Sequence, residues 1–146
     1  MASVSLSVKI LKDRRKQIQK AVNAQGRSAM RDVVDSLAKT SSGSAPHDKG
    51  ILEDSWTADV NGTGANVTGT VSYSVREGSS GGRYNYAVKM HEGNYKLGAG
   101  SRAKPGGTGM SGRKYPVGKK FLTGVADGEA KAYAKHIEKT IKLGLI

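Results

Sequence analysis

The spacing of apolar residues changes twice along the chain. Residues 4–10 alternate between apolar and polar side chains, which predicts a half-buried strand. From residue 11 to about residue 39 the apolar positions follow the period of an amphipathic helix, and a second stripe of this kind runs from about residue 119 to residue 143. The two ends of the chain are therefore predicted as a strand with a long helix and as a closing helix.

The middle of the chain carries the period of strands. Residues 52–60 and 67–75 alternate on either side of the turn signal Asn61-Gly62, which predicts an antiparallel hairpin. Residues 84–91 alternate as well and predict one more strand. The predicted order β-α-β-β-β-α indicates an α+β fold over residues 1–146, a single domain in which an antiparallel sheet of about four strands packs against a long N-terminal helix and a C-terminal helix.

A basic, glycine-rich segment separates the last predicted strand from the last helix. No acidic residue lies between Glu92 and Asp127. The basic residues of this stretch are Lys96, Arg102, Lys104, Arg113, Lys114, Lys119 and Lys120. So little apolar surface predicts an extended loop over residues 94–120 that does not order itself. We expect this loop to meet an anionic surface, another protein, or both.

Composition sets limits on the class of protein. The 146 residues carry a formal net charge of +12 and no cysteine, so a disulfide framework and a thiolate metal site are excluded. The charge favours an acidic partner such as nucleic acid. The N-terminus lacks a signal-peptide core, and no apolar stretch is long enough to span a membrane, so we expect a soluble protein that starts in a cytoplasm without membrane contact.

Catalytic patterns are weak in this sequence. Ser44, His47 and Asp48 supply the residue types of a hydrolase triad, but they lie within five residues in a predicted turn. Residues 107–114 imitate a phosphate-binding loop, with an arginine where that motif has its lysine and with no strand before it. The three histidines are far apart. We expect no enzyme, no metal site and no cofactor.

Three segments, in their order along the chain, resemble a known family. Residues 45–55 read Ala-Pro-His-Asp-Lys-Gly-Ile-Leu-Glu-Asp-Ser, residues 86–93 read Tyr-Ala-Val-Lys-Met-His-Glu-Gly, and residues 116–122 read Pro-Val-Gly-Lys-Lys-Phe-Leu. Together they resemble the neck proteins of long-tailed bacteriophages, the tail-terminator or tail-completion family. The positions that match its pattern are Pro46, Asp48, Gly50, Leu52, Ser55, Tyr86, Glu92, Gly93, Pro116, Phe121 and Leu122. Lys49 departs from the threonine usual in the family, and the basic loop is longer than expected.

The resemblance implies a structural virion protein that assembles in the host cytoplasm. It implies a homo-oligomeric ring, commonly a hexamer, at the head–tail joint, where the ring ends the tail tube and joins it to the head-closure or connector protein. The genome passes through such a ring, so the resemblance also implies non-specific contact between DNA and residues that line the lumen. Glu92 is a candidate to pair with a basic residue of a neighbouring subunit.

Two alternatives stay open on the sequence. One is another joint component of the same virion, either a head-closure protein or a minor capsid protein. The other, from a different class, is a non-specific nucleic-acid-binding protein. Since no helix-turn-helix, RRM or zinc-finger pattern is present, such a protein would contact phosphates, and its affinity for nucleic acid would fall as salt rises.

Overall fold

The structure is a computed structural model that describes residues 2–6, 15–47, 50–64, 66–75 and 85–145. Its elements, in chain order, are β1 (Ala2–Leu6), α1 (Arg15–Ser44), β2 (Trp56–Thr63), β3 (Asn66–Tyr73), α2 (Tyr86–Glu92), α3 (Ala99–Arg102), β4 (Gly107–Thr108), β5 (Lys114–Tyr115) and α4 (Thr123–Leu143). The predicted combination of a small antiparallel sheet with N-terminal and C-terminal helices is confirmed. Three parts of the predicted elements lie outside the described residues: positions 7–10 of the first strand, 11–14 of the first helix and position 84 of the fourth strand.

The main sheet has three strands in the order β1-β3-β2, so the prediction of about four strands is wrong. The predicted hairpin is present, since β2 pairs with β3 from Trp56 opposite Tyr73 to Thr63 opposite Asn66. Its first strand begins later than predicted, because residues 51–54 form turns that bury Leu52. Ser55 closes these turns by donating from its Oγ to the Leu52 carbonyl at 2.8 Å.

The first helix packs its apolar stripe on the sheet. Met30, Val33 and Leu37 are fully buried, as the predicted helical spacing requires. The helix comes so close to β3 that a Cβ built on Gly69 would lie 2.4 Å from the Val34 Cγ1 atom. A glycine at the centre of the sheet thus lets the helix approach the strand directly.

The first helix ends five residues later than the prediction, which ended it at about Lys39. Serines and glycine usually favour a helix end because hydroxyls compete for backbone hydrogen bonds. Here Ser41 is fully buried and its Oγ donates to the Leu37 carbonyl at 2.6 Å, while Ser42 donates to the Glu53 carbonyl at 2.9 Å. The polar turn remains helical because the fold supplies partners for these hydroxyls.

The predicted strand over residues 84–91 is wrong: residues 86–92 form α2. Alternation placed Tyr86, Val88 and Met90 on one buried face. In the helix Ala87 and His91, four residues apart, are buried instead, and Val88 is 56% exposed. The Asn85 side chain accepts from the Ala87 backbone N–H at 3.1 Å, a helix N-cap bond that stabilises this short element.

The last helix, α4, lies beside α1 and runs antiparallel to it. His136 on α4 is 2.9 Å from the Asp32 carboxylate, whereas Gly144, just after α4, lies beside Gln25. The buried positions Val125, Tyr133, Ile137 and Ile141 match the predicted apolar stripe. The sheet, α1 and α4 therefore form one core, and α2 to β5 lie at the end where α1 stops and α4 begins.

Candidate docking segment

Two of the segments that carry the family resemblance, residues 86–93 and 116–122, meet in space around Phe121. The Phe121 ring is 2% exposed and packs edge-to-face on Tyr73, 5.1 Å between ring centroids, and on His91, 5.2 Å away. Residues 116–122 join the end of α1 through the Gly118 N–H, which donates to the Ser44 carbonyl at 3.0 Å. Residues 116–122 are thus neighbours of α2 and of the end of α1, both distant in the chain.

The matched residues hold this junction together. Pro46, Leu52 and Leu122 are buried, and Gly50 has a φ of +81°, which favours glycine. The Tyr86 N–H donates to the Val75 carbonyl at 2.8 Å, and the Gly93 N–H ends α2 with a bond to the Lys89 carbonyl at 2.8 Å. Pro116 is exposed. Asp48, with its predicted turn, lies outside the described residues.

His91 is the polar centre of the junction. Its Nε2 accepts from the Thr123 backbone N–H at 3.2 Å, and its Nδ1 lies 2.8 Å from a Glu92 carboxylate oxygen. A ring that accepts at Nε2 and faces a carboxylate at Nδ1 carries its hydrogen on Nδ1. His91 thus ties the end of α2 to the start of α4. No partner for His91 could be predicted from the sequence, because Thr123 is distant in the chain.

Glu92 pairs within the subunit. Its carboxylate bonds the Lys120 ammonium, and this bond, followed by that from His91, lowers the Glu92 pKa to about 2. Lys120 has a φ of +61°, in the left-handed region that non-glycine residues seldom occupy, and its N–H donates to the His91 carbonyl at 2.9 Å. The interpretation of Glu92 as a contact to a neighbouring subunit stays a prediction. In the single chain this carboxylate already pairs with Lys120.

Residues 94–120 contain the helical turn α3 and the two-stranded hairpin β4–β5 where the sequence predicts an extended loop. Lys104 fixes the first half. Its Nζ donates to the carbonyls of Ser42 at 3.0 Å and Ala45 at 2.6 Å, and to the Glu53 carboxylate at 2.8 Å. All three donors of this ammonium are therefore used inside the fold.

Glu53 completes the contact. Burial alone would raise the pKa of this carboxyl, but the hydrogen bonds from Lys104 and His47 outweigh it and hold the pKa below its usual value. His47 is joined to Glu53 through its Nδ1. Ser44 and His47, two members of the hydrolase-type set considered from the sequence, therefore have different partners. His47 contacts Glu53, while the Ser44 Oγ donates to the Tyr115 carbonyl at 3.1 Å.

The hairpin β4–β5 lies directly on the last turns of α1. Thr40 donates from its Oγ1 to the Thr108 carbonyl at 3.0 Å, and Ser44 accepts from the Gly107 N–H at 3.2 Å. A Cβ built on Gly107 would lie 2.0 Å from the Thr40 carbonyl oxygen, and one on Gly43 would lie 2.9 Å from the Gly107 Cα. Helix and hairpin therefore meet through their backbones.

Glu129 on α4 holds the turn of the hairpin. This carboxylate is fully buried and accepts from the Ser111 N–H at 2.8 Å, from the Tyr115 hydroxyl at 2.8 Å and from the Ser111 hydroxyl. Burial would raise the Glu129 pKa, but these bonds outweigh it and lower the pKa, while burial and the Glu129 charge raise the Tyr115 pKa to about 12. Sequence reasoning missed Glu129, although its position midway between Val125 and Tyr133 on the apolar stripe is a signal that was available.

The seven basic residues predicted as the contact surface thus fall into two groups. Four contact the fold: Lys104, Lys120, Lys119, whose Nζ donates to Asn94 at 3.2 Å, and Arg113, whose guanidinium lies 5.4 Å from the Tyr115 ring centroid. The remaining three, Lys96, Arg102 and Lys114, are exposed, and their side chains make no hydrogen bond or ion pair to any other described residue. These three cations are available to a partner.

Lys96 also lines a groove of about 270 Å³ between the end of α1, α2 and the start of the basic segment. Tyr86, Met90 and Tyr95 form its aromatic and apolar wall. Across the described ranges, no three metal-ligating side chains come close enough to hold an ion, and no described helix is long and apolar enough to cross a membrane.

Comparison of the chain with protein-family models, with curated proteins and with solved structures finds no match.

Proposed function

We propose that this protein is a structural protein of a tailed-phage virion, a subunit of a ring at the head–tail joint that ends the tail tube and joins it to the head. The observation that carries the proposal is that the segments resembling the tail-terminator family lie together: the second and third contact each other around Phe121, and Pro46 of the first lines a groove with Tyr86 and Met90 of the second. Matched segments that each stabilised only their own loop would not be expected to lie close together.

The partner surface in this proposal is the outer side of residues 94–120. Lys104 and Glu129 fix this segment to α1 and α4, so its shape does not have to be supplied entirely by a partner. Three exposed cations, Lys96, Arg102 and Lys114, extend from it. A pre-ordered cationic surface loses less conformational entropy on docking than a disordered loop does, and it suits an acidic rim on an adjacent ring.

The first test is the molar mass of the purified chain by light scattering, together with electron micrographs of the chain mixed with tails that lack their terminal ring. The proposal expects a closed ring and rings seated at the tail ends. A monomer that binds DNA tightly at low salt and releases it at high salt would instead favour the nucleic-acid-binding class. Rings that bind the connector but never tails would favour a head-closure protein.

The second test removes the three free cations together, as Lys96→Ala/Arg102→Ala/Lys114→Ala. Its matched control removes three exposed lysines from α4, as Lys131→Ala/Lys135→Ala/Lys139→Ala. Both variants lose the same charge, so we expect unchanged unfolding for both, with tail docking weakened at least tenfold only in the first. Equal docking by the two variants would contradict the assignment of the surface.

A further inference from the structure

The outer edge of β2 is closed by two arginines of α1. Arg27 donates from Nη1 to the Gly62 carbonyl at 2.6 Å and from Nη2 to the Val60 carbonyl at 3.1 Å. Arg31, one helical turn later, donates to the Ala58 carbonyl at 3.3 Å and lies 3.9 Å from the Asp35 carboxylate.

These three carbonyls belong to one edge of the strand. In a strand, alternate residues direct their N–H and C=O groups to the same side, so residues 58, 60 and 62 share an edge. Since β2 is the last strand of the sheet, this edge faces no other strand among the described residues. An unpaired edge of this kind is a template for strand pairing with another chain.

We propose that the edge of β2 is a strand-addition site for a second copy of this chain, and that Arg27 and Arg31 keep it closed in the single subunit. A second strand would offer backbone N–H donors to the carbonyls of residues 58, 60 and 62. The two guanidinium groups already bond those oxygens, so pairing requires them to leave.

The strand is suited to pair with itself. An antiparallel pair centred on Val60 places Asp59 opposite Asn61 of the second copy, so no two carboxylates face each other. The same pairing is two-fold symmetric, which is the commonest symmetry of homodimers. It also brings Trp56, 42% exposed in the single chain, opposite Gly64 of the second copy.

The test compares Arg27→Ala/Arg31→Ala with a control that loses equal charge at two exposed lysines of α4, Lys131→Ala/Lys139→Ala. Molar mass is measured by light scattering over a range of concentrations. We expect the first variant to self-associate at concentrations at least tenfold lower than the wild type, and the control to match the wild type. A ring formed through another surface would be common to all three proteins, so only the difference between them counts.

Cross-linking locates the contact. The chain contains no cysteine, so Asp59→Cys and Asn61→Cys can each be placed in the Arg27→Ala/Arg31→Ala background and mixed. Opposed residues at a non-hydrogen-bonded position lie about 4.5 Å apart between Cα atoms, within reach of a disulfide. We expect the mixture to cross-link and either variant alone to do so at least fivefold less.

Self-association without this cross-link preference, or no change in association, would overturn the proposal. If the alanine pair does not fold, Arg27→Gln/Arg31→Gln is measured in its place, because the shorter side chains cannot span both carbonyl positions. With that pair, amide exchange at Ala58, Val60 and Gly62 should slow at least tenfold as concentration rises, and exchange independent of concentration would refute the site.

Discussion

Two parts of this molecule are ordered by different means. In the helix–sheet core, Met30, Val33 and Leu37 are fully buried among other apolar side chains. In the segment 94–120, order depends on a few charged groups, with Lys104 bonding two carbonyls and Glu53, and Glu129 bonding Ser111 and Tyr115. A glycine-rich basic segment therefore needs little apolar surface when buried charges are fully hydrogen-bonded.

The two kinds of order should fail differently. Apolar burial is spread over many contacts, so weakening it lowers the stability of the whole core. A buried charge with several partners concentrates the interaction at one group, and removing that group leaves its partners without a bond in a dry site. Local opening of the segment with an intact core is the expected signature of the second kind.

The largest effect is expected for Leu37→Ala. Leu37, on α1, is fully buried in the core. Its truncation should cost about 3 kcal/mol of unfolding free energy, since a cavity remains in a packed interior. Urea unfolding should show the loss, and amide exchange should rise in the main sheet and in the β4–β5 hairpin together. A loss confined to the hairpin would contradict the description of one shared core.

A smaller and more local effect is expected for Glu129→Ala. Its removal leaves the Ser111 N–H, the Ser111 hydroxyl and the Tyr115 hydroxyl without their acceptor, at a cost of about 2 kcal/mol. The amides of Gly109 and Gly112, which bond within the hairpin, should exchange faster while Val71 in β3 is unchanged. Glu138→Ala is the matched control, because Glu138 lies on the same helix, exposed and paired only with Lys142.

The smallest effect is expected from acid. Glu53 and Glu129 both have a pKa below the ordinary carboxyl value of 4.5 in the folded chain, so each stabilises the fold fully above pH 4.5 and loses that contribution as the pH falls through its folded pKa. Exchange at Gly109 should therefore rise below pH 4.5 by more than the intrinsic pH dependence. In Glu53→Gln/Glu129→Gln this extra rise should disappear. Its persistence would mean that other carboxyls are responsible.

The sequence predicted what depends on periodicity. The spacing of apolar residues gave α1, the β2–β3 hairpin and α4, because each buries one regular face. It failed at α2, where Tyr86, Val88 and Met90 alternate but the buried pair is Ala87 and His91. The cap residue Asn85 and the stop at Gly93 were the signals for a short helix.

The candidate site was less predictable, because its bonds join residues distant in the chain. The seven basic residues stay a predicted contact surface, and composition does not distinguish Lys104, whose ammonium bonds carbonyls at the end of α1, from Lys114, exposed on the β4–β5 hairpin. A lysine that meets backbone carbonyls leaves no pattern of its own in a sequence. Glu129 did leave one, as an acid at a buried helical position.

The contact between Gly43 and Gly107 has a mechanical consequence. At this contact the two backbones touch without an intervening side chain, so there is no rotamer that can relax and absorb a small movement. A pull on the β4–β5 hairpin is therefore transmitted to α1 at this point directly between main-chain atoms.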